Sequence, residues 1–275
     1  MSLPSTLIGL PLRWEALRKR LRFALRQRYF AEEDTSVPLG HGCSAPILHP
    51  DYWHSFEEIF FMGEYDGAGQ RFPLPTRWLD LGCHAGFFSL CMLLQHRKRG
   101  NQGNLQALLV DGDGRVGPQI RRVAERNNAV GRIRFEHAAI SREAGSLRFI
   151  ERECMASGPG NNPASASEGV VREVPVISPA RILELLPPPY DLIKVDIEGG
   201  EHDLLTGYQE VLRHADHMLF EWHSWHGGGG GLPQLRRLAA DLGFTRQQEF
   251  KTPHQAPAQG TDAECGVLLL QREPR

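Results

Sequence analysis

The chain has 275 residues, of which 41% are hydrophobic and 23% are charged, and its formal net charge at pH 7 is -2. These values are typical of a globular protein with a sizeable core, and the near-neutral charge gives no general attraction to nucleic acid, so no nucleic-acid partner is expected. No run approaches the roughly 18 to 20 apolar residues of a transmembrane helix, so no transmembrane segment is expected. Five scattered cysteines and the lack of a signal-peptide pattern favour a cytoplasmic protein with reduced thiols.

Residues 1–70 are predicted to form a basic helical cap or lid. Between residues 13 and 30, apolar residues recur at three- and four-residue spacings with arginines between them, which is typical of a basic amphipathic helix. A second helix is predicted at 55–62 (SFEEIFFM). We interpret the basic helix as packing on the main domain. The alternatives are docking to a partner or a membrane surface, and assembly into a homo-oligomer.

Residues 71–275 are predicted to form one α/β domain with a Rossmann-like, mostly parallel sheet, because short apolar runs alternate with helical stretches. The seven predicted strands lie at 78–82, 107–111, 132–136, 191–196, 217–222, 244–250 and 265–271. The predicted helices lie at 87–96, 115–128, 201–214 and 233–242. Two further extended segments are predicted at 146–150 and 171–177.

The first strand of this domain ends in a glycine turn, DLGCHAG, that is followed by Phe87 at the start of an apolar helix. Gly82 and Gly86 permit a tight turn and close approach of the backbone to a ligand around His84. A dinucleotide site has the pattern G-x-G-x-x-G and binds a pyrophosphate at the helix N-terminus. Here Asp80 precedes the first glycine, and a carboxylate suits an ammonium group better than a pyrophosphate. The turn therefore favours a nucleoside cofactor with an ammonium group and no phosphate, such as S-adenosylmethionine.

The second and third strands end in further candidates for cofactor binding. Asp111, which Gly112 follows, stands where a carboxylate can accept hydrogen bonds from both hydroxyls of a ribose. His137 and Ala138 follow the third strand and are candidates for an adenine slot. The alternatives are that Asp80 and Asp111 cap neighbouring helices and that His137 is an exposed loop residue.

Three acidic residues follow the fourth strand in YDLIKVDIEGGE. Carboxylates this close repel one another, so the site is expected to raise a pKa or to recruit a cation. We expect Asp196 to point at the reacting centre and to contact the cofactor, and Glu198 to act in catalysis. Glu201 is expected to cap the following helix.

The fifth strand ends in EWHSWH, which contains the first candidate for a general base, His223. Removal of a hydroxyl proton calls for a base with a near-neutral pKa, and histidine has one. The alternative is that Asp196, Glu221, His223 and His226 bind a divalent metal. The spacing E-x-H-x-x-H matches no strong metal motif, so a metal is possible but not expected.

Residues 77–272 resemble the FkbM family of methyltransferases. The resemblance rests on WLDLGCHAGFFSL, on LLVDGD, and on LIKVDIEGGEHDLLTG, which is similar to the family signature K-I-D-V-E-G-x-E. It implies a class I methyltransferase fold and the use of S-adenosylmethionine, commonly on hydroxyls of sugars or secondary metabolites. The chain departs from the family pattern at His84, where the family usually has Asn, and at Asp111-Gly112, where it usually has Glu-Pro.

The leading hypothesis is thus an O-methyltransferase for a small-molecule or peptide acceptor. One alternative is N-methylation of a protein or peptide side-chain amide. The other is a catalytically silent cofactor-binding scaffold that docks through its basic helix.

Overall fold

The computed structural model describes residues 35–65, 68–101, 103–151, 158–159, 169–224, 231–255 and 264–273. The predicted basic helix at 13–30 and His226 lie outside these residues. The helices of the described part are Tyr52–Phe60 (α1), Ala68–Arg71 (α2), Phe87–Lys98 (α3), Gly117–Arg126 (α4), Pro179–Leu185 (α5), Glu201–Gly207 (α6), Gln209–Leu212 (α7) and Gly231–Asp241 (α8). None of them is long and apolar enough to cross a membrane.

The described strands form three sheets. They are Thr35–Gly40 (β1), Cys43–Ile47 (β2), Arg77–Leu81 (β3), Gln106–Asp111 (β4), Ile133–His137 (β5), Ser146–Glu151 (β6), Gly158–Pro159 (β7), Val170–Pro175 (β8), Tyr190–Val195 (β9), Ala215–His223 (β10), Arg246–Gln255 (β11) and Glu264–Gln271 (β12). β1 and β2 form a hairpin, and β6 pairs antiparallel with both β7 and β8.

The central sheet has seven strands in the order β11-β12-β10-β9-β3-β4-β5. The five strands from β10 to β5 run parallel, whereas β12 pairs antiparallel with β10 and β11. The structure confirms the predicted Rossmann-like α/β fold, and each of the seven predicted strands is present with small changes at its ends.

The strand order reverses between β3 and β9. After β3 the chain adds β4 and β5 on one side of it, and then returns to add β9 and β10 on the other. In such sheets, ligands bind beyond the carboxyl ends of the strands at this point. Alternate side chains of each strand enter different cores: Trp78 packs in the cluster with α3 and α4, and Leu79 in the cluster with α5 to α8.

The described part of the predicted cap is not wholly helical, because the β1–β2 hairpin precedes α1. Its hydrophobic core is continuous with that of the main domain across the predicted boundary at residue 70. Ala45 and Phe56 are fully buried in the same cluster as Trp78. The rings of Phe56 and Phe87 meet edge to face at 5.7 Å and hold α1 against α3.

The predicted helix at 201–214 is divided into α6 and α7 at Tyr208. The phenol of Tyr208 is buried, and its hydroxyl lies 2.6 Å from the carbonyl of Ile177 and 3.0 Å from that of Ser141. These contacts tie the junction to distant segments. They are absent from the local helical pattern, which for that reason predicts one continuous helix.

Candidate active site

A cavity of about 950 Å³ lies beyond the carboxyl ends of β3, β4, β9 and β10. Residues of α1 form one wall, and Tyr65, Glu64 and Lys251 lie near the β10 side. Small-molecule sites typically enclose about 300 to 1,000 Å³, so the cavity is at the large end of that range.

The cavity brings together predicted residues from the glycine turn and from the acidic strand ends. Those that line it are Gly82, His84, Asp111, Gly112, Ala138, Asp196 and Glu198. The predicted site residues that do not line it are Asp80, Gly86, Phe87, His137 and His223.

Asp80 lies beneath the glycine turn and is fully buried. One carboxylate oxygen accepts a hydrogen bond of 2.8 Å from Ser89, whose hydroxyl accepts one of 2.9 Å from the indole of Trp78. The other oxygen lies 3.9 Å from the ammonium of Lys194. Burial raises the pKa of Asp80 to about 6, although Lys194 opposes the shift. The structure therefore places Asp80 in a supporting network and not against a ligand in the cavity.

Lys194, which is not among the predicted site residues, connects that network to the cavity. Its buried ammonium donates to the carbonyl of Gly82 at 2.8 Å and to the carboxylate of Asp196 at 3.0 Å. Burial favours the neutral amine, but Asp196 and Asp80 raise the pKa of Lys194 above its ordinary value. The available signal was a lysine within the apolar run YDLIKV, where a charge is stable only with partners.

Gly82 has a positive φ of 72° and touches the end of β9. A Cβ at this position would lie 1.6 Å from the carbonyl oxygen of Asp196. Only glycine allows this approach, so the first glycine of the turn joins the two strands at the switch point. Gly86 serves packing: its φ is 73°, and a Cβ there would meet Ile120 at 3.3 Å.

Asp111 holds the glycine turn in place at the end of β4. Its carboxylate accepts hydrogen bonds from the backbone N–H of His84 at 2.7 Å and of Asp113 at 2.8 Å. Burial raises the pKa of Asp111 to about 6. Each oxygen accepts one of these bonds, which leaves further acceptor capacity toward the cavity.

The His84 ring lies against α1, with its centroid 5.3 Å from that of Tyr52. Its φ is 45°, in the left-handed region. Burial lowers the pKa of His84 to about 4, so the imidazole is neutral at pH 7. Its Nδ1 atom is buried and has no hydrogen-bond partner among the described residues.

The residues after β4 and β5 separate into lining and supporting groups. A Cβ on Gly112 would lie 2.4 Å from the ring of Phe149, so this position requires a small residue. The ring of His137 is exposed and its Nε2 lies 3.0 Å from the carbonyl of Gly112, outside the cavity lining. Ala138 is buried and does line the cavity.

Asp196 and Glu198 reach the cavity from the end of β9. Burial favours the protonated form of Asp196, but Lys194 and His223 together lower its pKa below the ordinary value. Glu198 has a φ of 52°, and burial raises its pKa to about 7. The two carboxyl groups thus differ in charge near neutral pH, as expected where like charges crowd.

His223 lies behind the cavity wall in a cage of carboxylates. Its Nδ1 is 2.7 Å from Glu201, which also accepts the backbone N–H of Gly199 at 2.9 Å, and its Nε2 is 3.9 Å from Glu198. Burial would lower the pKa of His223, but Glu201 and the neighbouring carboxylates raise it to about 10. The ring is therefore an imidazolium at neutral pH. This geometry does not support the predicted role of a general base, because Nδ1 is paired with Glu201 and the ring does not line the cavity.

Asp196, Glu221 and His223 place ligating atoms within 4.8 Å of one another. An imidazolium has no lone pair for a metal, so an ion bound by this set would have to displace the proton of His223. Glu221 lines the cavity, and the sequence analysis considered it only as a metal ligand. Burial and the charge of Asp196 raise its pKa to about 8.

Comparison with known proteins identifies the family. The model described as the methyltransferase FkbM domain matches residues 80–247, which is more than half of the chain. No curated protein sequence gives a significant match.

Solved structures of low sequence identity are also similar to this chain. One is methyltransferase FkbM from Methylobacillus flagellatus KT, with 16% identity and a TM-score of 0.43 over 94% of this chain and 60% of that one. Another is TehB from Haemophilus influenzae, with 14% identity and a TM-score of 0.45 over 81% of this chain and 66% of that one. A third is an O-methyltransferase from Bacillus cereus in complex with SAH, with 11% identity and a TM-score of 0.37 over 99% of this chain and 93% of that one.

The family assignment rests on the sequence model. Its match runs from Asp80 in β3 into β11 and includes the glycine turn, Asp111 and the acidic ends of β9 and β10. These are the segments that build the cavity. The protein is a methyltransferase and belongs to the FkbM family.

Proposed function

We propose that the protein transfers the methyl group of S-adenosylmethionine to a hydroxyl of a small molecule, such as a sugar or a secondary metabolite. One observation carries the proposal. A single cavity at the strand-order reversal joins Asp111, which is suited to a ribose, to the carboxyl groups of Asp196, Glu198 and Glu221.

The residues between β3 and β4 suit a nucleoside cofactor. Gly82 holds the turn tightly against the end of β9, His84 has a buried Nδ1 without a partner among the described residues, and Asp111 retains acceptor capacity. When bound, S-adenosylmethionine supplies a methyl group on a positively charged sulfur. The lining contains more carboxylates than lysine and arginine side chains, which favours a cationic ligand.

The acceptor is assigned to the β9–β10 half of the cavity. Lys194 fixes the Asp196 carboxylate there, so Asp196 can orient a hydroxyl by accepting its hydrogen bond. Orientation contributes much of the rate in such transfers because it replaces an encounter with a fixed geometry.

Two measurements test the proposal in sequence. Isothermal titration with S-adenosylhomocysteine is expected to give one site per chain, and absence of binding would refute the cofactor assignment. Radiolabelled S-adenosylmethionine is then supplied with fractions of cell extract, and the labelled product is identified by mass spectrometry and NMR. A methoxy product supports the proposal, whereas label on an amide nitrogen would replace it with N-methylation.

A further inference from the structure

Two residues of β10 stand one strand repeat apart but differ in their access to the cavity. Glu221 and His223 are separated by two positions, so their side chains lie on the same face of the strand. Glu221 lines the cavity, whereas the side chain of His223 is only 3% exposed and lies behind it. Phe220 pairs with Val195 in the parallel ladder, so the next residues in the two strands, Glu221 and Asp196, end side by side.

The ionisable groups around Glu221 come from its own strand, from three other strands, and from the segments after β9 and α1. They are Lys194 of β9, Asp196 after β9, His223 of β10, Lys251 of β11, Cys265 of β12, and Tyr65 after α1. Both lysines already have carboxylate partners, Lys194 in Asp196 and Lys251 in Glu64. Burial and the charge of Asp196 outweigh these cations and raise the pKa of Glu221 to about 8.

Among the cavity carboxyls at the ends of β9 and β10, Glu198 also has a raised pKa, and it differs from Glu221 in two respects. It lies 3.9 Å from the Nε2 of His223, so the imidazolium directly counters its charge. It also stands in the loop after β9, whereas Glu221 is held within β10, where it pairs with Val267 of β12. A strand fixes the position of a reacting group better than a loop does.

On the basis of the proposed function, we infer that Glu221 is the catalytic residue that accepts the proton of the acceptor hydroxyl, the role expected of His223 from the sequence. The acceptor oxygen forms a bond to the methyl carbon while the carbon–sulfur bond breaks and its electron pair stays on sulfur. The hydroxyl proton passes to a carboxylate oxygen of Glu221. His223 keeps its proton throughout and acts as a fixed cation next to Glu201.

The test compares Glu221→Gln with Glu249→Gln, a matched change at a half-exposed side chain on the edge strand β11, which β12 separates from β10. The probe is the extract fraction that the wild-type enzyme labels with radioactive S-adenosylmethionine. Glu221→Gln is expected to bind S-adenosylhomocysteine within about twofold of wild type, and to lower the initial rate by roughly 10² to 10⁴. Glu249→Gln should retain the wild-type rate.

The pH profile separates a proton acceptor from a residue that only supports the fold. The wild-type rate should rise as the pH approaches 8 and then level off, and Glu221→Gln should lack this rise. In Glu221→Asp, a shorter carboxylate, the rise should persist at a lower rate. The raised pKa of Glu221 can be measured without an acceptor, because ¹³C-labelled glutamate should show Glu221 losing its proton near pH 8.

Three results would overturn the assignment. One is a wild-type rate in Glu221→Gln, with cofactor binding and labelling both present in the wild type. Another is a pH profile in which Glu221→Gln keeps the wild-type rise toward pH 8. The third is a rate abolished by a chelator and restored by Mn²⁺ only when Glu221 is present, which would make Glu221 a metal ligand. If the wild-type protein binds no S-adenosylhomocysteine, the proposed function itself fails.

Discussion

Replacement of Gly82 by alanine tests the contact between the glycine turn and the end of β9. The new Cβ would lie 1.6 Å from the carbonyl oxygen and 2.6 Å from the carbonyl carbon of Asp196. The oxygen would have to retreat by roughly 2 Å to reach an ordinary van der Waals distance. That movement would break the 2.9 Å hydrogen bond from the N–H of Asp196 to Leu81 and displace the Asp196 carboxylate.

Two terms contribute to the expected loss of stability. A left-handed φ costs an alanine about 1 to 2 kcal/mol. Overpacking adds about 1 to 3 kcal/mol, and more where the backbone has to move. We therefore expect Gly82→Ala to lower the free energy of unfolding by roughly 2 to 5 kcal/mol, and to abolish binding of S-adenosylhomocysteine because the turn and Asp196 both shift.

Gly100→Ala measures the cost of the left-handed φ without the overpacking. Gly100 has a φ of 70°, close to the 72° of Gly82, and a Cβ there would meet no atom within 4 Å. This variant should lose only about 1 to 2 kcal/mol and bind S-adenosylhomocysteine normally. Urea denaturation followed by circular dichroism, together with isothermal titration, measures both effects. If Gly82→Ala were as stable as Gly100→Ala and kept its affinity, the close approach would be refuted.

Three further changes test the cofactor half, the buried network and the wall. Asp111→Asn should weaken the binding of S-adenosylhomocysteine by roughly ten- to a hundredfold, as expected for the loss of hydrogen bonds to a charged group. Wild-type affinity should fall as the pH drops below the raised pKa of Asp111, about 6, because protonation removes acceptor capacity, and a flat profile would contradict this. Lys194→Met leaves two carboxylates without their cation and should cost roughly 3 to 5 kcal/mol in urea denaturation. The double variant Lys194→Met/Asp80→Asn should recover part of that loss of stability. If the losses of the two single variants simply added, this would argue against the contact between Lys194 and Asp80. Phe56→Ala should lower the free energy of unfolding by roughly 3 to 5 kcal/mol and weaken the binding of S-adenosylhomocysteine. A loss of stability below about 1 kcal/mol would show that Phe56 does not anchor α1.

The central sheet could be predicted because each of its parallel strands has a local signature. Strands such as β4 and β9 are buried on both faces, so they appear as short apolar runs that end at an acidic residue or a glycine. Helix α3 follows the turn with an almost continuous apolar sequence. These signals do not depend on distant partners.

The β1–β2 hairpin could not be predicted, because its stability depends on residues far along the chain. The backbone of Ser44 pairs with the side-chain amide of Asn127 through bonds of 2.9 and 2.8 Å. The amide of Gln119 likewise accepts from Leu48 and donates to Pro46. These two amides of the α4 region satisfy the free edge of β2, whereas the local sequence with its prolines and glycines is typical of turns.

The different roles of Asp80 and Asp111 follow from their positions within their strands. Asp111 is the last residue of β4 and faces the cavity, whereas Asp80 is the penultimate residue of β3. Alternation places Asp80 on the same face as Trp78, and both bind Ser89 of α3. The alternation of side chains along β3 could be predicted from the sequence, but the hydrogen bond to Ser89 could not.

The acidic strand ends show why residue type alone does not assign a base. Histidine is the usual choice because its ordinary pKa lies near neutrality. The carboxylates that surround His223 hold a proton on its ring, whereas burial and the charge of Asp196 raise the pKa of Glu221 to about 8. The crowding of these groups thus reverses the roles expected of the isolated side chains: His223 carries a fixed charge and Glu221 accepts the proton. Proton transfer then depends on which of the two groups faces the cavity, and in this protein that group is Glu221.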